Sequence, residues 1–515
     1  MLRRACALVL LAALAPMPAS TLEAQQTGGD RVARLRAAMP AIDAAFREFA
    51  QRNRVPGIAY GVLIDGRLVH RGTVGTRDRA NNAPVQSSTV FRIASMTKSF
   101  TALAILKLRD EGRLSLDDPA EKYIPELASL VYPTTDSPRI TIRHLLTHSE
   151  GLPEDNPWGD QQLGMSEEQF TAILKTGIPF SNAPGIAYEY SNYGFAILGR
   201  IVSRVSGQTY PDYITTAILK PLGMSATTLE PGSVSADALA HGYRWEDNTH
   251  KEEPQLPDGA FGSMGGMLTS LEDLGRYVGF LMQAWPARSG PDPGPVSRAS
   301  LREMQQMSRA RPATASSTAS GVSLSASGYG YGLRIRQTCD YRHIVSHSGG
   351  LPGFGSQMRW LSDEGVAFIA MGNLTYTAWD GIFDQATSIL AATGALTRRQ
   401  PEPSAALLQA KADVSRLVNQ WDDDLADSLA AMNLFLDESK DRRRRQITAL
   451  RAQVGQCRLE APFEVENALR GQWTMQCERG AVRVAITLAP TVPPKVQFLS
   501  VTPAPAEPPR RGCGG

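Results

Sequence analysis

Several features that would assign a function quickly are scarce in this chain of 515 residues. It has only five cysteines and seven histidines, and no His-Glu-x-x-His run. A zinc hydrolase built on that motif is therefore excluded, and no metal is expected. There is no Gly-Lys-Ser/Thr phosphate loop, so nucleotide chemistry of that kind is excluded as well. No Gly-x-Ser-x-Gly elbow occurs, and no cofactor is called for. Charge of either sign is not in excess: the net charge is +2, which argues against nucleic acid as a partner. The one dense basic run, "DRRRRQ" at 441–446, reads as a solvated helix face.

Long apolar runs are also missing. The longest early one, residues 5–15, follows Arg3 and Arg4 and is too short to span a bilayer comfortably. A basic start, a short apolar stretch and then small residues make 1–24 a secretory signal, cleaved near Leu22-Glu23-Ala24. No later run reaches about 18 apolar residues, so no transmembrane segment is expected after the signal. The protein is expected to be exported, periplasmic or secreted. Export permits disulfides, and Cys457 and Cys477 flank one compact unit. They read either as a disulfide or as two buried thiols. Cys339 and Cys513 have no obvious mates.

What is present has a clear order. Residues 31–55 have helical spacing, then "IAYGVLIDGRLVHRG" places two β-rich runs around Asp65-Gly66, a hairpin signal. A second pair of apolar runs surrounds a polar turn at 362–365, and an apolar helix follows at 379–393. Helix patterns fill the middle. One contains 195, 198, 202 and 205 and ends at Gly207; another opens at Thr269 or Ser270. Strands at both ends with helices between predict one α/β domain over 31–396, built from both chain ends with a mainly helical middle inserted. The Ser- and Ala-rich stretch 309–327 reads as a mobile loop. After the linker "TRRQPEPSA", helices at 404–435 and 440–455 and three β-like runs predict a small α+β accessory domain over 404–502. Residues 503–515 read as a disordered tail.

Three short stretches carry chemistry. In "FRIASMTKSF", Ser95 and Lys98 lie three apart at the start of an apolar helix, hence on one helical face. A buried, neutral Lys98 would accept the proton of a Ser95 nucleophile. The local alternative is that Ser95 caps the helix and Lys98 is an ordinary surface residue. In "YEYSNYGFAILG", Tyr190 is a candidate proton relay and Asn192 a candidate orienting amide. The alternative makes Ser191 or Asn192 an N-cap and Tyr190 a packing aromatic. In "HIVSHSGGLPGFGSQM", a β-like run ends at His347-Ser348-Gly349-Gly350, where glycine permits close approach of a ligand. The alternative is a turn with a surface His.

Taken together, Ser-x-x-Lys at 95–98, Tyr-x-Asn at 190–192 and His-x-Gly at 347–349 occur in the order of one superfamily. The chain resembles the serine β-lactamase and penicillin-binding-protein superfamily, on its class C-like branch, over roughly 35–395. Flanks such as "EGRLSLDDPAEKYIPE" and "GGMLTSLEDLGRY" match its running pattern. His144 and His148 fall in a stretch that fits a structural loop of that family. The resemblance implies an α/β (α+β) β-lactamase-like fold, an antiparallel sheet flanked by helices with a mainly helical inserted subdomain, and an exported serine hydrolase working through an acyl-enzyme on small esters, amides or D-amino-acid peptides. Ser95 would be the nucleophile, with Lys98 and Tyr190 sharing acid and base work. Asn192, His347 and Gly349 would bind or orient substrate, and the backbone N–H groups of Ser95 and Gly350 would form the oxyanion hole. His347 stands where many β-lactamases carry Lys, which ranks a dedicated β-lactamase below an esterase or D-peptidase. A catalytically idle binding protein is the reading from another class. Glu150 in "THSEGLP" departs from the small polar residue usual there, and near the cleft it would add negative charge.

Overall fold

The computed structural model describes residues 29–292, 294–318 and 321–504. The signal segment 1–24, Cys6, Cys513 and all but the start of the 503–515 tail lie outside them.

Both ends of the main domain meet in one sheet. Strand Gly57–Ile64 pairs antiparallel with Val366–Gly372, in register from Ile58 opposite Gly372 to Ile64 opposite Val366. Arg67–Asp78 extends it on one side, after a turn in which Asp65 and Gly66 both have positive φ (48° and 79°). That pair of left-handed residues matches the right-handed twist of the strands it joins. On the other side follow Phe354–Leu361, Ile344–Leu351, Arg334–Thr338 and Gly321–Tyr329. Every pairing in this run is antiparallel.

Alternation along the central strand sorts its residues between two cores. Ile58, Tyr60, Val62 and Ile64 pack with Phe46 and Phe49 of helix Met39–Arg52 and with Phe383 of helix Asp380–Ala392. Ala59 and Leu63 belong to the opposite core, with Phe100, Leu103, Leu198 and Leu274 of helices Thr97–Asp110, Asn192–Ser206 and Leu271–Met282. The helical insertion thus covers one face, and the two terminal helices cover the other. The end signals of the middle helices act as the residues suggest. Ser270 accepts a hydrogen bond from the Asp273 N–H, and Gly207 ends its helix at φ 75°.

Two expectations change. The stretch 309–327 is not a loop: Thr314–Thr318 pairs with Gly321–Ser325, extending the sheet edge. Small polar residues gave no apolar alternation there, yet backbone pairing with a neighbouring strand needs none. The helix expected over 404–435 is broken into Ala405–Asn419, Asp423–Leu429 and Leu434–Asp437. Asp422 restarts it by accepting from the Leu425 N–H.

The C-terminal unit is a sheet domain. Phe463–Asn467, Arg470–Cys477, Gly480–Leu488 and Val496–Pro503 form an antiparallel meander. Trp473, Met475, Val484 and Ile486 on that sheet pack against Leu407, Val414 and Ile447 from helices Ala405–Asn419 and Lys440–Val454. Cys457 and Cys477 are joined by a disulfide. Cys339, for which the sequence offered no obvious mate, is disulfide-bonded as well. Among the described residues no helix is long and apolar enough to cross a membrane.

Candidate active site

Ser95 lies in a short 3-10 turn, Ala94–Met96, that runs directly into helix Thr97–Asp110. Ala94 holds a positive φ of 49° in a fully buried position. A non-glycine residue there costs about 1–3 kcal/mol, a strain typical of nucleophile turns. Neither the turn nor the helix has a side-chain cap, so Ser95 does not cap. Its Oγ lies 3.1 Å from Lys98 Nζ and, with Tyr190, borders the same cleft.

Lys98 is fully buried. Its Nζ donates to Asn192 Oδ1 at 2.6 Å and to the Met264 carbonyl at 2.9 Å. A neutral amine has two N–H bonds and one lone pair. Two acceptors and one hydroxyl satisfy that inventory, with the lone pair directed at Ser95. Burial pulls the Lys98 pKa down to about 7. The carboxylates of Asp160 and Asp155 oppose that shift, and Arg334 reinforces it.

Tyr190 packs its ring 4.9 Å from Lys98 Nζ. Burial drives the phenol pKa far up, only partly offset by the neighbouring Ser95 hydroxyl. Ser191, next in sequence, is the ordinary cap: its Oγ accepts from the Gly194 N–H. Asn192 is not a cap, because its amide is shared between Lys98 and Asn156 Oδ1, the latter at 3.1 Å. The first turn of that helix is held by Asp155, whose two carboxylate oxygens accept the N–H groups of Asn192 and Tyr193 at 2.7 and 2.8 Å.

Ser95 and Tyr190 open onto a cleft of about 280 Å³, walled by Asp160, Arg334, Ser348, Gly350 and Tyr376 among others. His347 and Gly349 are not in that wall. Burial alternates along Ile344–Leu351, with His347 and Gly349 on the buried side and Ser348 and Gly350 on the more open one. His347 lies behind Tyr190, ring centroids 6.4 Å apart. Its Nε2 is 2.8 Å from the Tyr329 hydroxyl and its Nδ1 2.7 Å from the Ser348 carbonyl. Nδ1 therefore carries the proton and Nε2 accepts. Burial holds its pKa well below the usual value, with Arg334 and Lys98 adding to the shift. The expectation that His347 and Gly349 touch substrate is corrected: strand alternation turns both inward. A Cβ on Gly349 would meet the Ile93 carbonyl oxygen at 2.1 Å, so glycine is needed there for close packing beside the Ser95 turn. At Gly350 a Cβ would strike the Tyr376 ring.

Glu150 corrects a second expectation. It adds no charge to the cleft, because it is fully buried and neither carboxyl oxygen has a partner. It packs against Gly194, and burial raises its pKa well above the usual value, favouring the uncharged acid. His144 and His148 serve local structure. The first completes a capping box with Thr141, and the second accepts the Ser191 N–H at Nδ1.

The Beta-lactamase family model matches residues 42–393. The chain belongs to the beta-lactamase family. Protein flp of Staphylococcus aureus (strain COL) is 32% identical over 245 residues, 46% of this chain and 48% of that protein. The chain thus spans about half the length of these curated relatives. A penicillin-binding protein of Bacillus subtilis (strain 168) is 26% identical over 60% of this chain and 66% of its own. The octameric penicillin-binding protein homologue from Pyrococcus abyssi superposes with a TM-score of 0.58 at 21% identity, covering 88% of this chain and 96% of that one. A class C beta-lactamase gives 0.54 at 19% identity, covering 69% and 96%. These two likenesses show the beta-lactamase-like fold.

Within this beta-lactamase domain the sequence motifs pointed to Ser95, Lys98, Tyr190 and Asn192, which the fold brings together. They missed Asp155, Asn156, Asp160, Arg334 and Tyr376. "PEDNPWGD" was only a polar, turn-like stretch, and "YGLRIR" only a strand with alternating arginines.

Proposed function

We propose that the protein is an exported serine hydrolase that forms an acyl-enzyme on Ser95 and acts on small esters, amides or D-amino-acid peptides. The observation that carries this is the 3.1 Å contact between Ser95 Oγ and a fully buried Lys98 whose pKa is near 7. Near neutral pH a large share of Lys98 is then an uncharged amine, ready to act as a base.

Lys98 takes the Ser95 proton as Oγ bonds to the substrate carbonyl carbon. The ammonium so formed is stabilised by Asp160 and Asp155, the two carboxylates that raise its pKa. The carbonyl oxygen, now negative, is received by the backbone N–H groups of Ser95 and Gly350, which border one cleft. Tyr190 stays a phenol in the resting site, since burial opposes its ionisation. It is thus the proton donor to the leaving group and is reprotonated from Lys98. Water then cleaves the ester on Ser95 with the same groups in reverse order. Asn192 fixes the Lys98 amine, and His347 supports Tyr190 from behind.

Export rests on the composition of residues 1–24. The disulfide between Cys457 and Cys477 favours an oxidising compartment. The test is covalent labelling by a fluorophosphonate or a penicillin-type probe, read by intact mass. Wild-type protein is expected to gain one adduct on Ser95, and Ser95→Ala none. Labelling of Ser95→Ala at the wild-type rate would remove Ser95 as nucleophile.

A further inference from the structure

His148 is a fully buried titratable side chain that the acyl-transfer steps leave unused. Its backbone sits in the left-handed region at φ 53°, which histidine adopts more readily than most residues. From there it holds the chain on both sides of Tyr190. Its carbonyl oxygen accepts the Glu189 N–H at 2.8 Å, and its Nδ1 accepts the Ser191 N–H at 3.1 Å. Its ring also packs on the Tyr190 ring, centroids 4.3 Å apart, with the Tyr329 and Phe195 rings at 4.6 and 5.0 Å. Because Nδ1 accepts, the ring proton is on Nε2. That N–H is buried and has no acceptor among the described residues. A buried donor left unpaired is costly. An apolar side chain would fill the same space without that cost, so what the imidazole adds is the Nδ1 lone pair.

We propose that His148 is a positioning residue for the Tyr190 phenol, gripping the backbone at residues 189 and 191 and one face of the ring between them in sequence. This rests on the reading of Tyr190 as the proton donor to the leaving group. Beyond Tyr190 the chain is anchored by its own helix, where Ser191 Oγ accepts the Gly194 N–H and Asn192 holds Lys98. Immediately on either side of Tyr190 the anchor is His148. A reacting group displaced by about 1 Å loses rate steeply, so this grip sets how well the phenol meets a leaving group. His148 hydrogen-bonds to neither Ser95 nor Lys98 among the described residues, so the attack of Ser95 does not depend on it. Its loss is therefore felt where the leaving group needs a proton, and not where the leaving group departs unaided.

The test compares His148→Asn with His148→Leu in the full-length protein. The two side chains share a shape, but asparagine alone offers an acceptor to the Ser191 N–H, and it tolerates a left-handed backbone. His148→Leu is expected to lose about tenfold or more in acylation by an amide and less than about twofold by an activated aryl ester. His148→Asn is expected to stay within about threefold of wild type on both. In a Tyr190→Phe background, His148→Leu is expected to cost less than about twofold further on the amide, because the group it positions is gone. Equal losses on amide and ester, a full loss that persists in the Tyr190→Phe background, or a folded His148→Asn protein that loses about tenfold on the amide overturns the proposal. That last comparison decides even where His148→Leu is not recovered folded. Crystal structures of the variants supply a readout free of turnover: the Tyr190 hydroxyl is expected to move by about 1 Å in His148→Leu and to stay in place in His148→Asn. An unmoved hydroxyl in His148→Leu also overturns the proposal. Labelling of wild-type Ser95 by fluorophosphonate is scored separately. Labelling without the leaving-group split sinks the positioning role alone; a displaced hydroxyl without labelling of wild type sinks the acyl-enzyme alone.

Discussion

Lys98 Nζ and Asn192 Oδ1 lie 2.6 Å apart across two helices that are 94 residues distant in sequence. That contact fixes one N–H of the amine, the Met264 carbonyl fixes another, and the geometry leaves the Ser95 hydroxyl as the third neighbour. Removing the amide should misdirect the amine without removing it. Asn192→Ala is expected to lower kcat about tenfold to a hundredfold, with Ser95 still labelled at a reduced rate, measured by stopped-flow acylation. A rate equal to wild type would contradict the positioning role.

The pH profile follows from the depressed pKa of Lys98. The neutral amine is the active form, so acylation should rise with pH and level off above about 7. Below that value the rate should fall about tenfold per pH unit. Lys98→Ala should remove this limb and cost about 10²–10⁴-fold in acylation. A pH-independent wild-type rate between about pH 5 and 9 would rule out Lys98 as the base.

Tyr190 and Lys98 should separate on leaving groups. If the phenol serves the leaving group, Tyr190→Phe should cost about 10²-fold on an amide but less than about tenfold on an activated aryl ester. Lys98→Ala should slow both substrates alike. Equal losses on both substrates for Tyr190→Phe would place the phenol in the first proton transfer instead.

Glu150 should carry a stability cost with a defined sign. Its folded pKa is raised well above the ordinary 4.5 by burial, so over the interval between the two values the folded chain binds the proton that the unfolded chain has released. Stability therefore falls as pH rises above about 4.5, by up to about 1.4 kcal/mol per unit. Glu150→Gln, neutral in both states, should melt higher than wild type near pH 8 and close to it near pH 4. Equal melting temperatures at both pH values would show that the carboxyl ionises freely in the folded state.

The disulfide should act on the C-terminal domain and not on the cleft. It closes a loop with a sequence separation of 20, worth about 3 kcal/mol in the chain-entropy model. The paired substitutions Cys457→Ala and Cys477→Ala should destabilise that domain by about this amount in denaturant. Acylation of Ser95 should stay within about twofold, since the core around Trp473 draws on residues 407–499 and the two main cores on residues up to 396. A matching loss of acylation would mean that the accessory domain shapes the cleft.

How far the sequence reached depends on the range of the forces involved. Ser95 and Lys98 are neighbours through a helical turn, and Asp65-Gly66 makes its hairpin from local backbone preference, so both were legible. So were Ser270 and Gly207 as helix ends, because caps are local hydrogen bonds. The strands at 57–64 and 366–372 announced themselves by apolar runs, and their chirality and turns left few ways to pair. Whether Ser95 capped a helix or faced Lys98 was not decided locally, since both readings use the same backbone. Only burial of Lys98 between two helices, with Asn192 and Met264 as acceptors, brought the amine against Ser95 and pulled its pKa down. The side of the strand on which His347 falls was likewise a matter of tertiary register: one residue turns a side chain from cleft to core, and His347 went to the core. That Arg334 and Asp160 share one cleft wall was invisible because 174 residues separate them and each looks ordinary in its own segment. The sequence alone determined the family and the local geometry around Ser95. The tertiary structure decided which charged side chains border the cleft beside Ser95, because desolvation and register are set by what packs from elsewhere in the chain.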